Sequence, residues 1–160
     1  MDALFQEIGT RFPGAVIERL EYQGETTLRT DGPRAKEILR FLKEERGFNF
    51  LADLTSVHWP EEGRIDVVYQ VRNMTTRQQL RVRAGVPVED PSIATVTDLW
   101  RTADWLEREV YDLMGVIFTG HPDLRRIMLP EDFEGHPLRK EYPMEGDDEW
   151  RNYLPPEKDR

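Results

Sequence analysis

"IDVVYQVRNMTTRQQLRVRAGV", residues 65–86, decides the architecture. Ile65, Val67, Tyr69 and Val71 alternate with polar neighbours, and Leu80 and Val82 resume the alternation after a polar connection. A period of two places these side chains on one face of an extended chain, so the stretch is predicted to form two antiparallel strands of a meander with one wet face. "FNFLADLTSVHW" (48–59), closed by the turn "PEEGR" (60–64), supplies the strand before them.

Towards the N-terminus, Asp31-Gly32-Pro33 offers a cap and a first-turn proline. Ile38, Leu39 and Leu42 then line one face of a helix ending near Gly47. "AVIERLEY" (15–22) and "TTLRT" (26–30) flank a glycine turn of hairpin length, and Leu4, Phe5, Ile8 and Phe12 follow helical spacing over residues 2–11.

Towards the C-terminus, Asp90-Pro91-Ser92 is predicted to open a helix with Ile93, Val96 and Leu99 facing the core, and a second helix starts near Thr102 to Asp104. In that second helix Leu106, Val110 and Leu113 make one apolar stripe with Met114 at its edge, and Gly115 is placed to end it in a left-handed turn. Trp105 and Tyr111 fall off the stripe among Glu107, Arg108, Glu109 and Asp112, where Arg108 and Asp112 are spaced to pair. Beyond Gly115 periodicity is lost. Residues 117–143 hold enough Ile, Phe, Leu and Tyr to pack but too many prolines for a helix or central strand.

The expectation is therefore an α+β fold: a mostly antiparallel sheet flanked by helices over residues 1–116, then an extended arm over 117–160 that packs on the domain and on a partner. One core suits 160 residues. A net charge of −9 disfavours nucleic acid and anionic membranes, and no run approaches the ~18 apolar residues of a spanning helix. The start "MDALFQEIGT" has neither a basic nor an apolar signal region. The absence of cysteine removes disulfides, thiolate nucleophiles and the usual cluster ligands.

Catalytic patterns are weak. Gly115-x4-Gly120 has the glycine spacing of a phosphate loop, but His121-Pro122 stands where Lys and Ser/Thr are required. His58, His121 and His136 could meet as a metal site of a hydrolase, although none has helical ligand spacing. Two of them precede proline, which suits corner residues held by ring-to-backbone hydrogen bonds. Large aromatics among charges suit a protein interface, with coverage by the chain's own tail as the alternative. Arg125, Arg126, Arg139 and Lys140 add local positive charge to an acidic chain, enough to orient docking on an acidic neighbour. The expected partner-facing residues are Trp105, Arg108, Tyr111, Asp112, His121, Arg125, Arg126, His136, Arg139, Trp150 and Tyr153.

"DWLEREVYDLMGVIFTGHPDLRRIMLPEDFEGHPLRKEYP", residues 104–143, resembles the signature region of the C-type (30 kDa) subunit of the proton-pumping NADH:quinone oxidoreductase, respiratory complex I. The likeness lies in Glu107-Arg108-Glu109-x-Tyr111-Asp112-x-x-Gly115 and in the two Gly-His-Pro steps with their Asp-Leu-Arg-Arg-Ile and Leu-Arg-Lys-x-Tyr-Pro continuations. It extends back to about residue 47. Met114 stands where the family usually has an aromatic, and the chain ends sooner after the signature than many relatives do.

The resemblance implies a hydrophilic subunit of the peripheral arm with no catalytic residue and no cofactor of its own. FMN, iron–sulfur clusters and quinone would be bound by other subunits. It further implies packing beside the D-type subunit of the quinone module, close to the B-type subunit, with the C-terminal segment wrapping its neighbour at the cytoplasmic face of the membrane. An equivalent subunit of a related membrane complex, using ferredoxin, another reduced cofactor or a hydrogenase-like partner, is the competing reading.

Overall fold

The computed structural model describes residues 2–143, and Trp150 and Tyr153 of the expected contact set lie outside them. The stretch 65–86 forms the middle of a five-stranded sheet as two antiparallel strands, β4 (Arg64–Arg72) and β5 (Gln79–Pro87), numbered in chain order. Their turn is held by Asn73, whose Oδ1 accepts from the N–H groups of Thr75 (3.0 Å) and Thr76 (2.9 Å), the local bonding that suits asparagine to such corners. β3 (Phe50–Trp59) pairs antiparallel with β4, completing the predicted meander.

On the other side, β1 (Val16–Tyr22) and β2 (Glu25–Asp31) form the predicted hairpin, and β2 lies parallel to β5 with Leu28 beside Val82. The parallel pair follows from what comes after β2. Asp31 caps α2 (Gly32–Arg46), accepting from the Arg34 N–H at 3.2 Å, and the helix carries the chain across the sheet to its far edge. Gly47, in the left-handed conformation at φ 72°, ends α2 where the sequence predicts. The sheet order is β1-β2-β5-β4-β3.

Burial follows the alternation. Ile65, Val67, Tyr69, Val71, Leu80, Val82, Ala84 and Leu28 are sealed against Ala35, Ile38, Leu39 and Leu42 of α2 and Ile8 of α1 (Asp2–Arg11). Each fully buried aliphatic side chain contributes about 1.5–3 kcal/mol. The opposite face of the sheet carries a charged lattice in which Asp66 bonds Arg64 Nε at 2.9 Å and Arg83 Nη2 at 2.5 Å, with Trp59 beside both guanidinium groups.

One expected helix is absent. Residues 92–94 form a short strand, β6 (Ser92–Ala94), followed by turns in which Leu99 and Trp100 donate to the Val96 carbonyl. Ile93, Val96 and Leu99 reach the core as predicted, but from a strand and a tight turn rather than one helix face. Pro91 and the β-branched run Ile93, Thr95, Val96 and Thr97 favour that extended start. The partner strand is β7 (Ile117–Thr119), parallel to β6 with Ile93 beside Phe118. Three residues of the expected irregular arm are therefore strand. Between the two runs α3 (Ala103–Met114), the helix predicted from Thr102 to Asp104, packs against β3.

Candidate interaction site

Helix α3 has twelve residues and spans about 18 Å. The chain turns at Gly120 (φ 82°) and then runs along this helix, so the two Gly-His-Pro steps meet its opposite ends. At the N-terminal end, His121 Nε2 lies 3.2 Å from the Asp104 carbonyl oxygen while its Nδ1 accepts from the Asp123 N–H at 3.0 Å. At the C-terminal end, His136 Nδ1 donates to the Asp112 carbonyl at 2.9 Å. Both are corner residues bonded through the ring, as their position before proline suggests.

The last carbonyls of a helix have no partner within it. Here the arm provides them. Besides His136, the Leu138 N–H reaches the Leu113 carbonyl at 3.1 Å and Arg139 Nε the Met114 carbonyl at 2.8 Å. Gly115, at φ 72°, closes the helix through a bond from its N–H to Tyr111. A Cβ at that position would stand 2.5 Å from the His136 ring, so glycine is required both for its backbone and for the arm's approach.

The charged side of α3 differs from expectation. Glu107, Arg108 and Asp112 are buried, and Arg108 and Asp112 do not form the expected pair. Arg108 instead donates to the Arg125 and Arg126 carbonyls at 3.2 and 3.4 Å. Asp112 Oδ2 accepts from the N–H groups of Ile127, Met128 and Leu129 at 3.0, 2.7 and 2.9 Å, and Oδ1 from Arg126 Nη1 at 3.0 Å. Burial alone would raise the Asp112 carboxyl, but the amides of Leu129, Met128 and Ile127 with Arg126 outweigh it and leave it below its ordinary value. A stripe drawn from apolar residues cannot register buried charges satisfied by a distant loop.

Glu107 faces the β6 side. Its Oε1 accepts from the Val96 N–H at 2.7 Å and its Oε2 bonds Thr95 Oγ1 at 2.5 Å. Burial outweighs these two bonds and pushes the carboxyl up to about 7. The sequence contains no mark of this, since Glu109, two residues on, is exposed.

The remaining expected residues divide. Trp105 is 64% exposed, with the Arg108 guanidinium 5.1 Å from its ring, whereas Tyr111 is half-buried against the core. Arg125 points to solvent beside Asp123, and Arg126 and Arg139 are committed to Asp112 and Met114. The chain's own arm thus covers Arg108 and Asp112 but leaves Trp105 open. Met128 and Leu138, missing from the expected set, are 63% and 59% exposed on the same arm. Near the last described residues the arm meets the sheet, where His58 Nδ1 accepts from the Lys140 N–H at 3.2 Å.

His121 and His136 bond opposite ends of α3 and His58 bonds the arm at Lys140, so the three histidines do not converge. Among the described residues no group of three or more His, Asp or Glu side chains could hold a metal ion, so the hydrolase alternative lacks the site it needs.

Residues 28–148 match the family model described as respiratory-chain NADH dehydrogenase, 30 Kd subunit. The chain belongs to that family. It is 46% identical over 140 residues to the C-type subunit of the NADH-quinone oxidoreductase of Geobacter sulfurreducens, covering 86% of each chain. Identity to the corresponding NADH-quinone oxidoreductase subunit of Moorella thermoacetica is 42% over 145 residues, 91% of this chain and 97% of that one. Among solved structures it is similar to the trypsin-resistant fragment (1-134) of Nqo5, with TM-score 0.67 and 35% identity over 77% of this chain and 98% of that one. It is also similar to a chain of the membrane-bound sulfane sulfur reductase, an archaeal respiratory membrane complex, with TM-score 0.80 and 25% identity over 99% and 95% of the two chains. No helix among the described residues is long and apolar enough to cross a membrane.

Proposed function

We propose that this family member is the C-type subunit of an NADH:quinone oxidoreductase and serves in its peripheral arm as a scaffold of the quinone module. It packs beside the D-type subunit and close to the B-type subunit, and is held at the cytoplasmic face of the membrane through the complex. The assembled enzyme passes electrons from NADH through FMN and iron–sulfur clusters to quinone, coupled to proton translocation. This chain supplies shape and adhesion, with no catalytic residue and no cofactor of its own.

The observation that carries the reading is what α3 and the arm leave exposed. After the arm has bound every buried charge of the helix other than Glu107, Trp105, Met128 and Leu138 still stand in solvent, and Arg125 and Lys140 of the arm are exposed as well. Large apolar groups beside cations suit a protein interface. Trp105, Tyr111, Arg125 and the arm residues around His121 and His136 are the proposed contact set, with Arg108, Asp112, Arg126 and Arg139 acting by holding the arm in place.

A related complex with another electron donor is supported by one observation, the likeness to the sulfane sulfur reductase chain. The 46% identity to a protein named as an NADH-quinone oxidoreductase subunit favours the first reading. Co-purification with a tagged D-type subunit should fall sharply for Trp105→Ala with Tyr111→Ala, and undiminished recovery would remove this face of α3 from the interface. The isolated chain should be colourless and inactive with NADH and quinone, while the assembled complex containing it should oxidise NADH.

A further inference from the structure

The arm is bound to the domain in an unusual way. The His121 side chain is sealed at the root of the arm, but no apolar residue from 122 to 143 is fully buried, so apolar burial contributes little to its attachment, with Leu124 partly packed on the core. Its contacts are polar, and at their centre one carboxylate, Asp112, is sealed from solvent. All four of the donors to that carboxylate, the N–H groups of residues 127–129 and Arg126 Nη1, belong to the arm. Three successive amides converging on one oxygen, with a guanidinium on the other, is the arrangement of an anion-binding site.

The shape of this loop does not depend on its ligand alone. Arg108 holds the carbonyls of Arg125 and Arg126 from the helix side, and Arg126 Nη2 reaches the Gly135 carbonyl at 3.3 Å, closing the loop on itself. Donors fixed by contacts that leave the carboxylate out are pre-organised for whichever carboxylate enters.

We propose that residues 126–129 form a carboxylate receptor built into the arm, that Asp112 is its resident ligand, and that occupancy of the receptor closes the arm along α3. The inference rests on the scaffold reading only for its consequence, because closure fixes the positions of the exposed Met128 and Leu138 relative to α3. The receptor itself is a property of the isolated chain.

Truncating the ligand should leave a receptor that accepts a free carboxylate. In full-length Asp112→Ala, amide hydrogen exchange over 121–143 should accelerate about 10- to 100-fold, the range expected for losing several charge-assisted bonds, with β4 and β5 unchanged. Titrating formate should restore protection at residues 127–129, and chloride at equal ionic strength should not. Unaltered exchange in the variant, loss that formate fails to reverse, equal reversal by chloride, or equal loss across β4 and β5 would each overturn the proposal. If Asp112→Ala yields no folded protein, Met128→Pro removes the shortest donor from the arm side. It should expose amides 127 and 129 while the sheet stays protected, and an unmoved arm would count against the receptor. All of these readouts use the isolated chain, while recovery of the parent chain with the tagged D-type subunit tests the scaffold reading separately.

Discussion

Glu107 and His121 meet beneath the root of the arm, with Oε2 and Nε2 4.0 Å apart and both side chains sealed from solvent. Around the Glu107 carboxyl stand Thr95 and the Val96 amide from the β6 segment, Asp104 on its own helix beside His121, and the Tyr69 phenol from β4, with Lys36 and Asp98 acting at longer range. The carboxyl is raised from 4.5 to about 7, so folding takes up a proton between those values. Its contribution to stability is present below about pH 4.5 and lost as pH rises to 7, a loss of about 3 kcal/mol from this group. Glu107→Gln, which keeps an acceptor for Val96, should therefore gain about 3 kcal/mol relative to the parent between pH 4.5 and 8, read by urea unfolding at each pH. A difference between the two proteins that does not vary with pH would refute the assignment.

Gly115 and Gly63 both sit in the left-handed conformation, but only Gly115 has the arm against it. Gly63→Ala meets nothing within 4 Å and should cost about 1–2 kcal/mol, the backbone penalty alone. Gly115→Ala adds a Cβ at 2.5 Å from His136 and 2.8 Å from Arg139, so it should cost more and should also release 136–139 from the helix end. Thermal unfolding compares the stabilities, and hydrogen exchange at Leu138 reports the release.

The sheet is legible in the sequence because its signal is local: alternation in 65–86, a cap at Asp31 and a glycine stop at Gly47 each act within a few residues. The segment 92–99 misleads because three apolar residues at helical spacing can equally come from a short strand and a turn, and the partner that stabilises the strand is far along the chain, Ile117 for Ser92. The site is half legible. The motif residues and corner histidines can be named, but which charges turn inward depends on the arm folding back over α3, a long-range event with no period. Met128 and Leu138 escape notice for the same reason, since nothing in an irregular stretch marks which apolar residue faces out.

Asp66 is fully buried on the otherwise open face of the sheet, roofed by Arg64 and Arg83 and opposite Gly85. Asp66→Ala leaves two clustered cations without their shared partner and should destabilise by about 2–4 kcal/mol in urea unfolding at pH 7. Adding Arg83→Val to Asp66→Val should recover part of that loss, because it removes the stranded charge and offers a strand-favouring side chain. If the double variant is no better than the sum of its parts, the cost arises from packing and not from the charge.

Acid should open the arm before it unfolds the domain. The Asp112 carboxyl lies below its ordinary value of 3.8, so its bonds to residues 126–129 are in place above that pH and fade as pH falls through its lowered range. The sheet's burial does not depend on that proton, so β4 and β5 retain their protection over the same interval. Hydrogen exchange or limited proteolysis from about pH 5 down to about pH 2.5 should show residues 121–143 opening first, with Arg125 and Arg126 among the earliest cleavage sites once the arm is free. The Asp112→Asn chain, which keeps one oxygen and has no charge to lose, should begin with a looser arm and lack the acid step. An acid transition of equal size in that variant would place the titrating group elsewhere.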